Sequence, residues 1–238
     1  MKNIFCLVIT SVFFFSCESM PDLSGLLSDE LTEGNIADGL KQALSKGTDR
    51  AVSTLSKKGG YGNNALYRLT VPEDIQKVAK TLRKMGLGSM VDSFENKMND
   101  AAEEAVKQAG PVFIDAITAM TLDDARKILM GSDTAATDFF KVKTGKILKD
   151  KYLPIVKNRM SDIGLVSEFN KLMDRYNSIP FITKMDFTLE NYVTDKALTG
   201  LFGMLAETEK DIRKNPVERT TSLLKRVFAE QDNKEKKK

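Results

Sequence analysis

The 238-residue chain has no histidine and no tryptophan, and only two cysteines and six prolines. Without histidine there is no Ser-His-Asp or Cys-His catalysis, no His-assisted zinc site and no Glu-x-x-His di-iron motif. The two cysteines, Cys6 and Cys17, both lie in the first seventeen residues. The remainder of the chain therefore has no thiolate nucleophile, no thiolate metal ligand and no disulfide, and it must hold together by packing alone. Charge of one sign is also scarce: the formal net charge is +3, too mild to argue for a nucleic-acid partner. Apolar runs long enough to cross a bilayer are absent as well. Any enzymatic chemistry is thereby confined to carboxylate pairs, lysine or tyrosine groups, or oxygen-ligated cations. No metal and no cofactor is expected.

What is present begins with the first seventeen residues, MKNIFCLVITSVFFFSC. Lys2 precedes an apolar run from Ile4 to Phe15, and the small residue Ser16 stands directly before Cys17. A transmembrane helix needs about twenty apolar residues, so this run reads as the hydrophobic part of an export signal. Cleavage between Ser16 and Cys17 would leave a cysteine open to lipidation, and two or more acyl chains at about 0.8 kcal/mol per buried CH₂ make a stable anchor. Phe14 and Phe15 are bulkier than is usual before such a cysteine. The alternative is ordinary cleavage a few residues later and a soluble periplasmic protein. The expected organisation is a lipoprotein-type signal at 1–16, a tether at 17–32, a helical domain at 33–230 and a basic disordered tail at 231–238. The tail ends Lys234-Glu235-Lys236-Lys237-Lys238 and reads as a solvated end rather than a head-group contact.

From Glu33 onward the apolar spacing is helical almost throughout. A first helix is predicted over Glu33–Ser56. Lys57 to Val71, rich in glycine and asparagine, reads as a loop with a short extended piece, a lone strand at most, near 65–71. Pro72-Glu73-Asp74 opens the next helix, with proline and acids in its first turn. Further helices are predicted over Ser89–Ala109, from Pro111, and from Thr121, where Thr121 and Asp124 resemble a capping box. Gly131 reads as a left-handed cap on that helix. Ser132–Tyr152 follows, then a separate helix from Pro154 to near Gly164, then Leu165–Tyr176, with an irregular stretch marked by Pro180. The clearest stripe runs from Asp186 to about Lys214: Leu189, Tyr192, Val193, Ala197, Leu201, Phe202 and Leu205. Asn215-Pro216-Val217-Glu218 opens a last helix through Phe228. The sum is an all-α fold, one irregular bundle of about eight to ten helices.

The ordered segments from Leu66 onward resemble a family of bacterial exported proteins of unknown function, a helical domain of about 200 residues usually preceded by a signal peptide. The matching stretches are Asn99 with Ala101-Ala102-Glu103, Phe113 to Ile117, Asp124-Ala125 with Ile128 to Gly131, and Ala135 to Phe140. Later come Tyr192 to Thr194, Ala197-Leu198 with Gly200-Leu201-Phe202, Glu209 with Ile212-Arg213, and Asn215-Pro216 with Arg219-Thr220. The resemblance implies the helical fold and an envelope location, and no reaction.

Polar residues set among apolar ones are the candidate site: Glu103, Asp115, Asp124, Thr137, Glu209, Arg213 and Arg219. Glu209 and Arg213, four apart, can pair on one helix face. If Glu103 or Asp115 faced Arg213 or Arg219 across the bundle, the group would be a buried ionic network fixing helix register. The same residues could instead hold an anion or ligand. Catalysis would need two carboxylates about 5 to 9.5 Å apart in a polar cleft. The loop Gly59-Gly60-Tyr61-Gly62-Asn63-Asn64 lacks the phosphate-loop spacings and reads as a mobile connector, with Tyr61 and Tyr67 as its possible partner contacts. The eleven methionines and the phenylalanines at helical spacing read as core, with room for an apolar-ligand pocket between helices. The functional expectation is a non-enzymatic envelope lipoprotein, anchored through Cys17, that binds an envelope protein or an apolar ligand. The alternative is a carboxylate-based hydrolase or transferase acting on a cell-envelope substrate.

Overall fold

The computed structural model describes residues 33–178, 189–219, 225 and 227–229. The expected signal, Cys17, the tether, the stretch around Pro180, residues 186–188 and the basic tail lie outside the described residues. Among those described there are eight α-helices and no strand, an all-α bundle. They are α1 (Glu33–Leu55), α2 (Gln76–Lys84), α3 (Gly88–Val106), α4 (Ala109–Thr118), α5 (Leu122–Leu129), α6 (Ala135–Asp162), α7 (Leu165–Asn177) and α8 (Leu189–Lys214). Short 3₁₀ turns at Glu73–Ile75 and Pro216–Glu218 precede α2 and follow α8.

Helix α8 lies at the centre, against α1, α3 and α6. Its predicted stripe is its buried face apart from Tyr192, which is half-buried: Leu189, Val193, Ala197, Leu201, Phe202 and Leu205 are all buried. Phe113 of α4 joins it to α6, its ring 5.0 Å from that of Phe140 and 6.2 Å from that of Phe202. Each such ring removed from water stabilises the fold by about 1.5–3 kcal/mol. On α3 the core face runs Val91, Phe94, Met98, Ala101, Ala105, and it also carries two polar residues, Asn99 and Glu103.

Three local expectations are corrected. Pro154 does not start a new helix, because α6 runs through it to Asp162. Proline removes one bond to the carbonyl four residues back, that of Asp150; both residues face solvent, where water replaces the lost donor. Gly131 is not left-handed; the positive-φ glycines among the described residues are Gly59, Gly86 and Gly164. A Cβ at Gly131 would lie 2.6 Å from that of Ala135 and 2.8 Å from the Lys127 carbonyl, so close approach, not backbone sign, demands glycine there. The segment near 65–71 forms no strand, within the expectation of a short extended piece at most. The helix expected from Pro216 is interrupted: Asn215 caps a single 3₁₀ turn, and Arg219 leaves helical geometry with ψ of 76°. Residues 225 and 227–229 are helical again. The capping box at α5 forms as read, Thr121 Oγ1 accepting from the Asp124 N–H at 3.1 Å and Asp124 Oδ2 accepting from the Thr121 N–H at 3.2 Å.

Candidate functional site

A ladder of side chains on α3 takes the place of the missing strand. Glu95, Asn99 and Glu103 stand four residues apart on one face, aimed at the segment between α1 and α2. Glu103 Oε1 accepts from the N–H groups of Tyr61 (3.0 Å) and Gly62 (3.1 Å), and its Oε2 from that of Gly59 (3.0 Å). Asn99 pairs with Leu69 as a neighbouring peptide would, accepting its N–H at 2.8 Å and donating to its carbonyl at 2.9 Å. Glu95 accepts from the Val71 N–H at 3.1 Å. Buried backbone groups must be paired; here one helix pairs them by side chains, so the segment needs no sheet. Residues 59–71, whose glycine-rich start was expected as a mobile connector, are a strap tied along α3 by these bonds.

Tyrosines tie the same strap to α8. Tyr61 is fully buried and donates from its hydroxyl to the Ala197 carbonyl at 2.6 Å. Its ring lies over Gly200, where a Cβ would come within 2.6 Å of it, and the Tyr67 ring lies over Gly203, with a corresponding gap of 2.5 Å. Burial pushes the Tyr61 hydroxyl well above its ordinary value of 10.0, with Tyr152 and Glu103 adding to the rise. Burial likewise raises Tyr152, and burial with the Glu207 carboxylate raises Tyr67. A group whose folded value is raised stabilises fully below its unfolded value and loses that contribution above it. Stability should therefore be unaffected by these tyrosines below pH ~10 and fall beyond it. In an alkaline titration, part of the tyrosinate absorbance should appear only together with loss of helical circular dichroism. Complete ionisation near pH ~10 with the helical signal intact would contradict the burial.

The second polar cluster joins two helix ends. Thr134, the N-cap of α6, makes no capping bond with its side chain. Glu209 of α8 supplies the acceptors instead: it takes the N–H groups of Ala136 and Thr137, each at 2.9 Å, and the Thr137 hydroxyl at 2.9 Å. One turn on, Arg213 donates to Glu209 through Nε at 3.0 Å and Nη2 at 2.9 Å. It also donates to the last carbonyls of α5, Leu129 at 3.2 Å and Ile128 at 2.7 Å. The acid thus meets the positive end of α6 and the base the negative end of α5, the favourable sense for both dipoles. Arg219 donates to the carbonyls of Ile212 and Arg213, and its guanidinium lies 5.2 Å from the Phe228 ring centre.

The structure brings Thr137, Glu209, Arg213 and Arg219 together and leaves the other candidates apart. Glu103 faces neither arginine, its oxygens being taken by the strap. Asp115 is exposed and Asp124 caps α5; both border a cleft of about 300 Å³ with Phe139, Lys143 and Lys151. The hydrogen bond from the Thr121 hydroxyl holds the Asp124 carboxyl below its usual value. Beside Glu209 and Arg213, between α1, α6 and α8, the apolar cavity is only about 30 Å³, far under the ~300 Å³ of an ordinary ligand site. No helix among the described residues is long and apolar enough to cross a membrane.

Residues 30–229 match the family described as protein of unknown function, DUF4197. The chain belongs to the DUF4197 family. No curated protein and no solved structure matches it. The strap, the double cap and the cleft bordered by Asp115 all fall within the DUF4197 region.

Sequence reasoning passed over Glu95, the role of Asn99, the tyrosine–glycine contacts and Arg159. The signal available for the first two was their spacing with Glu103. For the glycines it was Gly200 and Gly203 in mid-helix, where each weakens a helix by about 1 kcal/mol unless something packs into the gap. Arg159 of α6 lines a polar cleft of about 350 Å³ with Ser56, Lys58, Asp100, Glu103 and Lys107, residues scattered over three elements with no local pattern.

Proposed function

We propose that this DUF4197 chain is a non-catalytic binding module of the bacterial cell envelope, held at a membrane by acyl chains on Cys17. The observation that carries the non-catalytic part is the saturation of its buried carboxylates. Glu103 is fully engaged by three backbone N–H groups, and Glu209 by two N–H groups, a hydroxyl and Arg213. Every oxygen of the two already accepts from the protein's own donors, so proton transfer through either would give up bonds that hold the fold. Asp124, beside Asp115, is also an unsuitable acid: a carboxyl acid working at neutral pH needs its proton held, and Asp124 is shifted the other way. The envelope part rests on the N-terminal pattern, Lys2, the apolar run and Ser16-Cys17.

Growth with a clickable palmitate analogue tests the anchor. The wild-type protein should take up label and sediment with membranes, and Cys17→Ala should be unlabelled and released. Absence of label from the wild type, or equal label on both, would refute the anchoring.

A further inference from the structure

We propose that the cleft between the turn after α1, α3 and α6 binds a small zwitterion, an α-amino acid or short peptide, with its carboxylate at Arg159 and Lys58 and its ammonium at Asp100. This rests on the reading of the chain as a binding module and gives that module its ligand class.

Arg159 carries the argument. Its Nε is sealed from solvent and has no acceptor among the described residues. A guanidinium is always charged, and a buried donor without a partner is a cost that native folds avoid. Arg159 makes no ion pair among the described residues, and its half-buried side chain lines an open polar cleft of about 350 Å³, room for an amino acid or dipeptide. The other charges around the cleft sort into engaged and free. Glu103 is saturated by the strap, and Glu104 pairs with Lys107 at 2.7 Å. Lys58, Arg159 and Asp100 have no ion-pair partner among the described residues, which leaves two cations and one anion facing the same space. Lys58 is exposed, and its neighbour Gly59 donates its N–H to Glu103 at 3.0 Å.

A guanidinium and an ammonium lining one cleft suit a carboxylate, which arginine grips with two parallel bonds. The acids lining the same cleft repel a phosphate dianion and favour a ligand that brings its own positive charge. Electroneutral zwitterions satisfy both halves.

The test uses the full chain in detergent and does not depend on whether Cys17 is acylated, so a failed anchor and a failed ligand site are separately visible. Alanine and alanyl-alanine are titrated against acetate, methylammonium and inorganic phosphate, read by calorimetry and by the Arg159 Nε–H resonance, assigned through Arg159→Gln. The expected result is saturable binding of a zwitterion that moves this resonance. Arg159→Gln should weaken it at least about tenfold and Asp100→Asn about threefold, each consistent with loss of one charged partner. Because Arg159→Gln removes a charge whose Nε has no acceptor in the fold and keeps much of the side chain's stem, it should keep or raise the melting midpoint. The proposal is overturned if neither zwitterion binds below ~10 mM, if acetate or phosphate binds as well as they do, or if Arg159→Gln melts markedly lower.

Discussion

Glu103→Ala should lower the stability of the folded chain by about 3 to 5 kcal/mol. The substitution strips the acceptors from three backbone N–H groups at once, those of Gly59, Tyr61 and Gly62. Tyr61 is fully buried, so water does not reach its amide without the strap coming away from α3. Once it does, the Tyr61 ring leaves its seat over Gly200 and exposes the centre of α8. Glu103→Gln separates charge from geometry. It keeps one acceptor oxygen and turns an NH₂ towards a donor, so the loss should be smaller, about 2 kcal/mol. Urea unfolding of both variants followed by far-ultraviolet circular dichroism measures this. A loss under ~1 kcal/mol for Glu103→Ala would mean that the strap is not held by this carboxylate.

Comparable losses are expected at the helix-end junction. Glu209→Ala leaves the first amides of α6 without acceptors and Arg213 without a counter-charge; Arg213→Ala frees the last carbonyls of α5 and leaves Glu209 unneutralised. Each should cost about 3 to 5 kcal/mol, the range for breaking a buried pair on one side. The side chains are 10 and 4% exposed, so solvent relieves little of this. The double variant should cost less than the sum of the two, by about 1 to 3 kcal/mol, because the second substitution removes a charge already stranded by the first. Arg213→Lys should not restore stability, since an ammonium cannot reach Glu209 and two carbonyls in one planar fork. Strict additivity in the double-mutant cycle would show that the two residues act independently.

The all-helical architecture was legible because most of its helices are written in three- and four-residue spacing. The stripe from Leu189 to Leu205 turned out to be the buried face of α8, and Thr121 with Asp124 closed the capping box at α5. Local rules failed where a distant residue replaces a local one. Pro154 and Gly131 look like boundaries in isolation. The first is tolerated because the carbonyl it orphans faces water; the second marks a close approach, and the end of α5, closed locally by the N–H groups of Met130 and Gly131, is held further by Arg213, 84 residues away from Leu129. The segment at 57–71 read as loose because its composition is that of a loop. Of its partners on α3, Glu103 was read as a candidate site residue, while Glu95 and Asn99 were hidden as interruptions of the helix's apolar pattern. In the candidate site the i, i+4 pairing of Glu209 with Arg213 was visible, whereas their shared duty to two helix ends was not, because it depends on where α5 and α6 meet α8 in space. The free charges around Arg159 come from three elements and share no motif.

The central physical claim is that the buried acids of this chain hold its own backbone rather than a substrate. Amide hydrogen exchange at Gly59, Tyr61, Gly62, Leu69 and Val71 tests it most directly. If side chains of α3 hold these amides, they should exchange as slowly as the interior amides of α3 and α8, and Glu103→Ala should speed Gly59, Tyr61 and Gly62 selectively. Exchange at loop-like rates in the wild-type protein would contradict it.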